Sequence, residues 1–139
     1  MEINFFSEDI DFTLAQPAVT SNWLNSIAQQ EDAIIDSLNY IFCSDDYLHN
    51  INLEYLDHDT YTDIITFDQS EDDMLSGDIF ISIDRVQDNA TAMNTQFSEE
   101  LHRVIAHGLL HLIGYKDKTT EEAALMREKE EACLTLLPG

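Results

Sequence analysis

Short apolar runs alternate with polar segments in the first half of the chain, a pattern that predicts strands separated by short helices. β-Branched and aromatic residues cluster in four runs, which predict strands at Ile3–Phe6, Ala33–Cys43, Ile64–Phe67 and Asp78–Ile83. Apolar residues recur at helical spacing after Thr20 or Ser21 as far as Gln30, and again after Ser44, whose hydroxyl can cap a helix. An acidic loop is predicted between the last two strands, over residues 68–76.

From Asp84 onward the apolar positions follow the period of helices. Ser98 can cap a helix that ends at Gly114, and Thr119 with Glu122 forms a capping box for a last helix. The inner stripe of that last helix is predicted to hold Met126, Cys133 and Leu137. Because strands come first and helices gather late, we expect an α+β fold in which a small mixed sheet packs with helices, as one domain over residues 1–139.

The charge of the chain is distributed unevenly. The 28 acidic and 6 basic residues give a formal net charge of −22, yet all six bases follow residue 84. Residues 1–84 therefore carry 19 of the acids and a charge of −19. A generally basic nucleic-acid coat is excluded, because phosphate binding needs lysine and arginine to displace counterions. Any surface that faces phosphate is expected in residues 85–139.

The chain is expected in the cytoplasm and away from membranes. Residues 1–10 carry acids where a signal peptide needs positive charge. No uninterrupted apolar run approaches the roughly 20 residues of a membrane helix. Cys43 and Cys133 lie far apart, outside any CxxC pattern, and are expected to be reduced core residues.

A pair of histidines in the predicted helix before Gly114 indicates a metal site. His107 and His111 are four residues apart, so both imidazoles leave one helix face about 6 Å apart along the axis. The helix is apolar on nearly every side, and buried imidazoles without partners are costly. Gly114 can reverse the chain and return Asp117 as a third ligand. Two histidines and one carboxylate leave a fourth position open, as in catalytic zinc sites.

The same spacing occurs in zinc proteases whose third ligand follows a glycine turn. Those enzymes need a glutamate directly after the first histidine as the general base, and Gly108 stands there. A peptidase is therefore disfavoured unless another carboxylate supplies the base.

Three segments resemble the YbeY-type endoribonucleases, the rRNA maturation factors of bacteria. His107–Asp117 (HGLLHLIGYKD) is similar to the family signature HGxLHLxGYDH, Thr62–Phe67 (TDIITF) to TDVLSF, and Gly77–Ser82 (GDIFIS) to GDIxIS. The resemblance implies a zinc-dependent, single-strand-specific endoribonuclease acting in 16S rRNA 3′ end processing and ribosome quality control. It implies one Zn²⁺ per chain on His107, His111 and Asp117, with a metal-bound water as the catalytic group.

Four positions depart from the family pattern. Asp117 replaces the usual third histidine, and Lys116 replaces the aspartate before it. Leu56 stands where the family usually has an arginine, and Asp68 where it usually has a proline. Aspartate binds zinc through oxygen, so the site is retained with a harder ligand. The absent arginine removes a phosphate contact proposed for the family.

Further residues near the motifs have more than one interpretation. Arg103 is either a cation at the rim of the site that meets a phosphate or an ion-pair partner of Glu99. Tyr115 either donates a hydrogen bond to a reacting oxygen or packs beside the loop that carries Asp117, called the ligand loop below. Asp63 and Asp78 are candidates for a hydrogen bond to a ligating histidine or for a base, unless they only cap strand ends.

Two other functions stay open. The acidic body and Leu56 favour a metal-stabilised binding module of ribosome assembly with little turnover, and a zinc peptidase with a relocated base is a third reading. The expected partners are single-stranded or ribosomal RNA, together with basic ribosomal proteins that face the −19 half of the chain.

Overall fold

A four-stranded mixed sheet forms the frame of the molecule. The computed structural model describes residues 2–138. Its strands are β1 (Glu2–Ser7), β2 (Ile34–Cys43), β3 (Ile64–Asp68) and β4 (Met74–Ser82), in the spatial order β1-β2-β4-β3. The β1–β2 and β2–β4 pairs are parallel, whereas β3 runs antiparallel to β4. The predicted α+β class and mixed sheet are confirmed.

Five helices accompany the sheet within residues 2–138. They are α1 (Pro17–Gln30), α2 (Asp45–Leu56), α3 (Ile83–Ala92), α4 (Phe97–Ile113) and α5 (Thr120–Leu134). The Ser44 hydroxyl caps α2 by accepting from the Tyr47 N–H at 3.1 Å. Thr119 and Glu122 form both bonds of the predicted capping box at 3.0 Å. These two helix starts are therefore determined locally.

Two other predicted helix starts are wrong. α1 begins at Pro17, where a proline in the first turn has no N–H to leave unsatisfied, and Thr20 is buried inside the helix. α4 begins at Phe97, so Ser98 lies in the first turn and is not the cap. The Phe97 ring meets Phe12 edge to face at 6.1 Å and packs against the core. Packing of this aromatic side chain accompanies a helix that starts two residues earlier than a Ser98 cap predicts.

The predicted acidic loop is too long and the following strand too short. β4 starts at Met74 and continues the parallel ladder with β2 from Ile34 onward. Leu75 is buried there, so the strand extends back to cover the core. Ile83 begins α3 and does not end the strand. Leu137 lies beyond the end of α5, although it still packs against the core.

α4 packs closely against the sheet at Gly108. A β-carbon on this glycine would lie 3.0 Å from Ile79 Cγ2 and 3.2 Å from Ile64 Cδ1. The helix therefore approaches the sheet so closely that a side chain at position 108 would displace its neighbours. Successive residues on a helix are about 100° apart, so His107 is turned away from this contact.

The structure also bears on the predicted absence of a membrane helix and on the two cysteines. Over residues 2–138 no helix is long and apolar enough to cross a bilayer. Cys43 and Cys133 are buried and unpaired, as predicted. Burial, with carboxylates such as Asp9 nearby, raises the pKa of the Cys43 thiol to about 12, so this cysteine is not a nucleophile.

Candidate metal centre

The C-terminal end of α4 and the turn after it bring three potential ligands together. His107 and His111 lie on one face of the helix with ring centroids 4.5 Å apart. Gly114 ends the helix with φ at 127°, a conformation that side chains rarely adopt, and its N–H is bonded back to His111 and Leu110. The chain reverses at this glycine and returns Asp117 to the histidine face.

The spacing of the three side chains suits one metal ion. His107 Nε2 lies 3.4 Å and His111 Nε2 lies 3.6 Å from Asp117 Oδ2. The three ligand atoms lie within 4.8 Å of one another. A tetrahedral ion with ligands at about 2.0–2.1 Å holds its ligand atoms roughly 3.3–3.4 Å apart. Two imidazole nitrogens and one carboxylate oxygen at these distances therefore fit an ion with little rearrangement.

Glu130 of α5 orients the first histidine. His107 Nδ1 donates to Glu130 Oε2 at 2.6 Å, which leaves Nε2 to face Asp117 and His111. Glu130 is not among the site residues predicted above, although the sequence contains a signal for it. Glu130 lies between Met126 and Cys133 on the stripe that was predicted to face inward, and a carboxylate on a buried stripe needs a partner.

The pKa values of the two histidines shift in opposite directions. Burial lowers the pKa of His107, but the hydrogen bond and charge of Glu130 outweigh it, and the pKa is raised overall. Burial and the neighbouring His107 together lower the pKa of His111. Glu130 therefore stabilises positive charge on its partner, as it would for an imidazole bound to a cation.

A buried arginine balances the carboxylates of α5. Arg103 is only 6% exposed and lies 2.8 Å from Glu131, 3.3 Å from Glu100 and 3.7 Å from Glu130. The ion pairs found for Arg103 thus involve Glu100 and two residues of α5, and Glu99 is not among them. Ion pairs buried in this way are strongly destabilising to break from one side, by about 3–5 kcal/mol.

The histidine and carboxylate cluster opens onto a cavity with a volume of about 900 Å³. Its walls come from α4, β3, the end of α2 and the segment that follows it, the ligand loop and α5. Three of the six cations of the chain line it: Arg103, Lys118 and Arg127. Leu56 also lines it, so the position where the family usually has an arginine faces the cavity here without a charge.

Of the two aspartates singled out by sequence, Asp63 alone lines this cavity. Asn89 donates to Asp63 Oδ2 at 3.3 Å. Burial raises the pKa of Asp63, opposed mainly by the charge of His107. Asp78 instead accepts from Asn39 at 3.0 Å and from Gln69 at 3.4 Å on the sheet. Neither carboxylate makes the hydrogen bond to His107, which goes to Glu130.

The Tyr115 hydroxyl is directed away from the cavity. It donates to Glu31 at the end of α1, and Lys129 lies 5.4 Å above its ring. Tyr115 therefore ties the ligand loop to α1 and α5, and is not placed to donate to a reacting oxygen. Of the remaining histidines, His58 lines the cavity, whereas His49 meets Asp59 at 2.8 Å and His102 packs on Trp23.

A mixed sheet with a histidine and carboxylate cluster in an open cavity defines a small α+β protein with a candidate metal centre that a substrate can reach. A family model described as Endoribonuclease YbeY matches residues 2–138. The chain belongs to this family, which confirms the resemblance seen in the sequence.

Similar proteins support the assignment over nearly the whole length. A curated protein of Cytophaga hutchinsonii named Endoribonuclease YbeY is 59% identical over 96% of this chain and 94% of its own. One of Christiangramia forsetii with the same name is 54% identical over 97% of this chain and 94% of its own. The solution structure of TM1509 from Thermotoga maritima is similar with a TM-score of 0.68 and 28% identity, covering 97% of this chain and 88% of that one.

Proposed function

We propose that this chain is a zinc-dependent endoribonuclease that cleaves single-stranded RNA during ribosomal RNA maturation in the cytoplasm, with zinc held by His107, His111 and Asp117. One observation carries the proposal. The ligand cluster opens onto a cavity that Lys118 and Arg127 line, two of the six cations in a chain of net charge −22. A phosphodiester is the substrate that both a metal and nearby cations attract. The family name and the two buried, unpaired cysteines agree with this activity and location.

When bound, the zinc would lower the pKa of a coordinated water towards about 7 and polarise a phosphoryl oxygen. The protein supplies the orientation of its ligands. Glu130 accepts a hydrogen bond from His107 Nδ1–H, and this leaves Nε2 free to bind the ion. Arg103 lies within 3.7 Å of Glu130 and compensates its charge in the protein interior. We therefore assign Arg103 a positioning role and not a direct phosphate contact.

Asp63 is the carboxylate best placed to accept a proton. Asp63 is half-buried, whereas the buried carboxylates of the described part of the chain, Glu100 and Glu130, lie close to an arginine. Asp63 has only the amide of Asn89 as a side-chain partner, and burial raises its pKa. A carboxylate with a raised pKa takes up a proton more readily near neutral pH.

The recessed ligands favour an unpaired strand. The side chains of His107 and His111 are only 18% and 30% exposed. A duplex presents its phosphates on a rigid cylinder, whereas a single strand can bend to bring one phosphate into a cavity. Lys118 at the exposed rim and Arg127 on α5 are the side chains to meet flanking phosphates.

The peptidase alternative is disfavoured by packing. The residue after the first histidine is Gly108, which contacts Ile64 and Ile79 of the sheet. A glutamate at this position would be driven into the sheet and away from the cavity. The base that zinc peptidases place there has no room in this fold.

Cleavage of a defined RNA tests the proposal. The purified protein should cut a single-stranded oligoribonucleotide, leave the same sequence intact as a duplex, stop in EDTA and recover on addition of zinc. Casein should not be hydrolysed. RNA or ribosome binding without any turnover in the presence of zinc would support the assembly module, and casein cleavage would support the peptidase. Recovery with another metal but not with zinc would contradict the identity of the ion.

The two lysines beside Asp117 give a matched test of the RNA contact. Lys118 lines the cavity and Lys116 is exposed outside it. Lys118→Gln should weaken RNA binding several-fold and reduce the slope of log K against log salt by roughly 0.7, the contribution of about one phosphate of a single strand. Lys116→Gln removes the same charge and should change neither. Equal losses in the two variants would show that only net charge matters.

A further inference from the structure

The outer edge of β1 has no strand beside it. β1 pairs with β2 in parallel along its whole length, from Glu2 opposite Ser37 to Ser7 opposite Phe42. In the sheet order it is the terminal strand, and residues 2–138 place no other strand on its far side. The main-chain N–H and C=O groups of a terminal strand that point away from the sheet are available for pairing with another chain.

A cleft of about 490 Å³ follows this edge. One wall consists of the consecutive residues Ile3–Ser7 with the neighbouring Phe42 of β2, and the other of Phe12, Thr13, Leu14 and Pro17. Neighbouring residues of a strand point to opposite faces, so a cleft that touches five in succession must run along the edge between those faces. The Phe6 side chain is 50% exposed here. The shape matches an extended chain.

β1 lacks the usual protection of an edge strand. Natural sheets avoid unwanted pairing with lysine, proline or a bulge at the edge. The β1 sequence EINFFS has neither residue, and its register with β2 is continuous over six pairs. A regular edge of this kind is a hazard unless something restricts what pairs with it.

The residues that line the cleft are uncharged, and it is the acids near the two ends of β1 that restrict the occupant. Glu2, Glu8 and Asp11 are exposed on or just after β1, and the first cation of the sequence is Arg85. Two copies of this edge would bring like charges together, and a nucleic acid would be repelled. A positively charged extended segment would be attracted.

We propose that the free edge of β1 docks an extended basic segment of a partner protein, which pairs with β1 as a fifth strand. Main-chain hydrogen bonds provide the pairing, the cleft accepts apolar side chains, and Glu2, Glu8 and Asp11 near its ends attract lysine or arginine. β1 and β3 are the opposite ends of the sheet, and the cavity with the ligand cluster lies at β3. The partner and the RNA can therefore bind at the same time, and the docking site does not depend on the proposed activity.

A synthetic peptide of alternating lysine and valine serves as the probe. Titrated into ¹⁵N-labelled full-length protein, it should shift the amide signals of Ile3–Ser7 and Phe12–Leu14 and slow their hydrogen exchange. The same peptide N-methylated at every second residue keeps all charges and side chains but cannot form the ladder. We expect its binding to be at least roughly tenfold weaker. Equal binding of the two peptides would overturn strand pairing.

Charge variants locate the site. Glu8→Lys with Asp11→Lys should weaken binding of the probe, whereas Glu54→Lys with Glu128→Lys, an equal change on exposed helical positions, should leave it unchanged. Equal weakening by both double variants would show that the probe responds only to the overall charge of the protein, and would overturn the proposed site. Self-association at micromolar concentration that Glu8→Lys with Asp11→Lys alters would identify a second copy as the occupant and also overturn the proposal.

Discussion

Replacement of His111 by alanine should reduce the metal content of the purified protein from about one ion per chain to nearly none. His111 supplies one of only three donor atoms, and Nε2 lies 3.6 Å from Asp117 Oδ2. Removal of a ligand should weaken binding by more than the roughly 10–100-fold that loss of a supporting hydrogen bond causes. RNA cleavage should be lost with the metal. Elemental analysis of untagged protein, with zinc, manganese, nickel and copper measured together, checks the result.

His58→Ala is the matched control for this experiment. His58 also lines the cavity and is exposed, but it is not part of the ligand cluster. The His58→Ala variant should therefore keep its full metal content. Asp117→Ala should lose the metal and Asp117→His should retain it, since imidazole can replace a carboxylate as ligand. If the His111 variant keeps a full complement of metal, the ligand assignment is wrong.

Replacement of Glu130 by glutamine should weaken metal binding by roughly 10–100-fold, although Glu130 does not belong to the ligand cluster. The carboxylate accepts a hydrogen bond from His107 Nδ1–H at 2.6 Å and stabilises positive charge on the imidazole. Glutamine keeps the size of the side chain but not the charge, so His107 becomes a poorer donor to the ion. A competition titration with a chromophoric chelator measures the affinity of the metal-free protein directly.

Glu131→Gln separates orientation from charge. Glu131 is the adjacent residue, pairs with the same Arg103 at 2.8 Å and makes no contact with His107 among those found. It should bind metal within about twofold of the unaltered protein. Thermal unfolding of both metal-free variants shows whether either change perturbs the fold. Equal loss of affinity in the two variants would mean that Glu130 acts through net charge alone.

Local sequence was sufficient for the parts of the site that lie on one helix and its exit. The histidine pair follows from helical periodicity, and the return of Asp117 follows from a glycine at the helix end. The capping box of α5 was equally visible, because its hydrogen bonds join residues three apart. The family signature combines these same local features.

The structure decided the interactions between distant segments. Glu130 is 23 residues from His107, and Tyr115 donates to a glutamate 84 residues away. The early start of α4 accompanies the packing of Phe97 on Phe12, and the early start of β4 follows its ladder with β2.

The sequence alone determined the fold class, the histidine pair, the glycine turn and the concentration of all cations in the last 55 residues. Only the tertiary structure decided that Arg103 is buried among carboxylates, that Gly108 faces the sheet and that β1 leaves an open edge. The reason is physical. Periodicity and capping depend on neighbours within about one helical turn. Partners of a buried charge, close approaches and strand order depend on how separate segments pack, which local patterns do not encode.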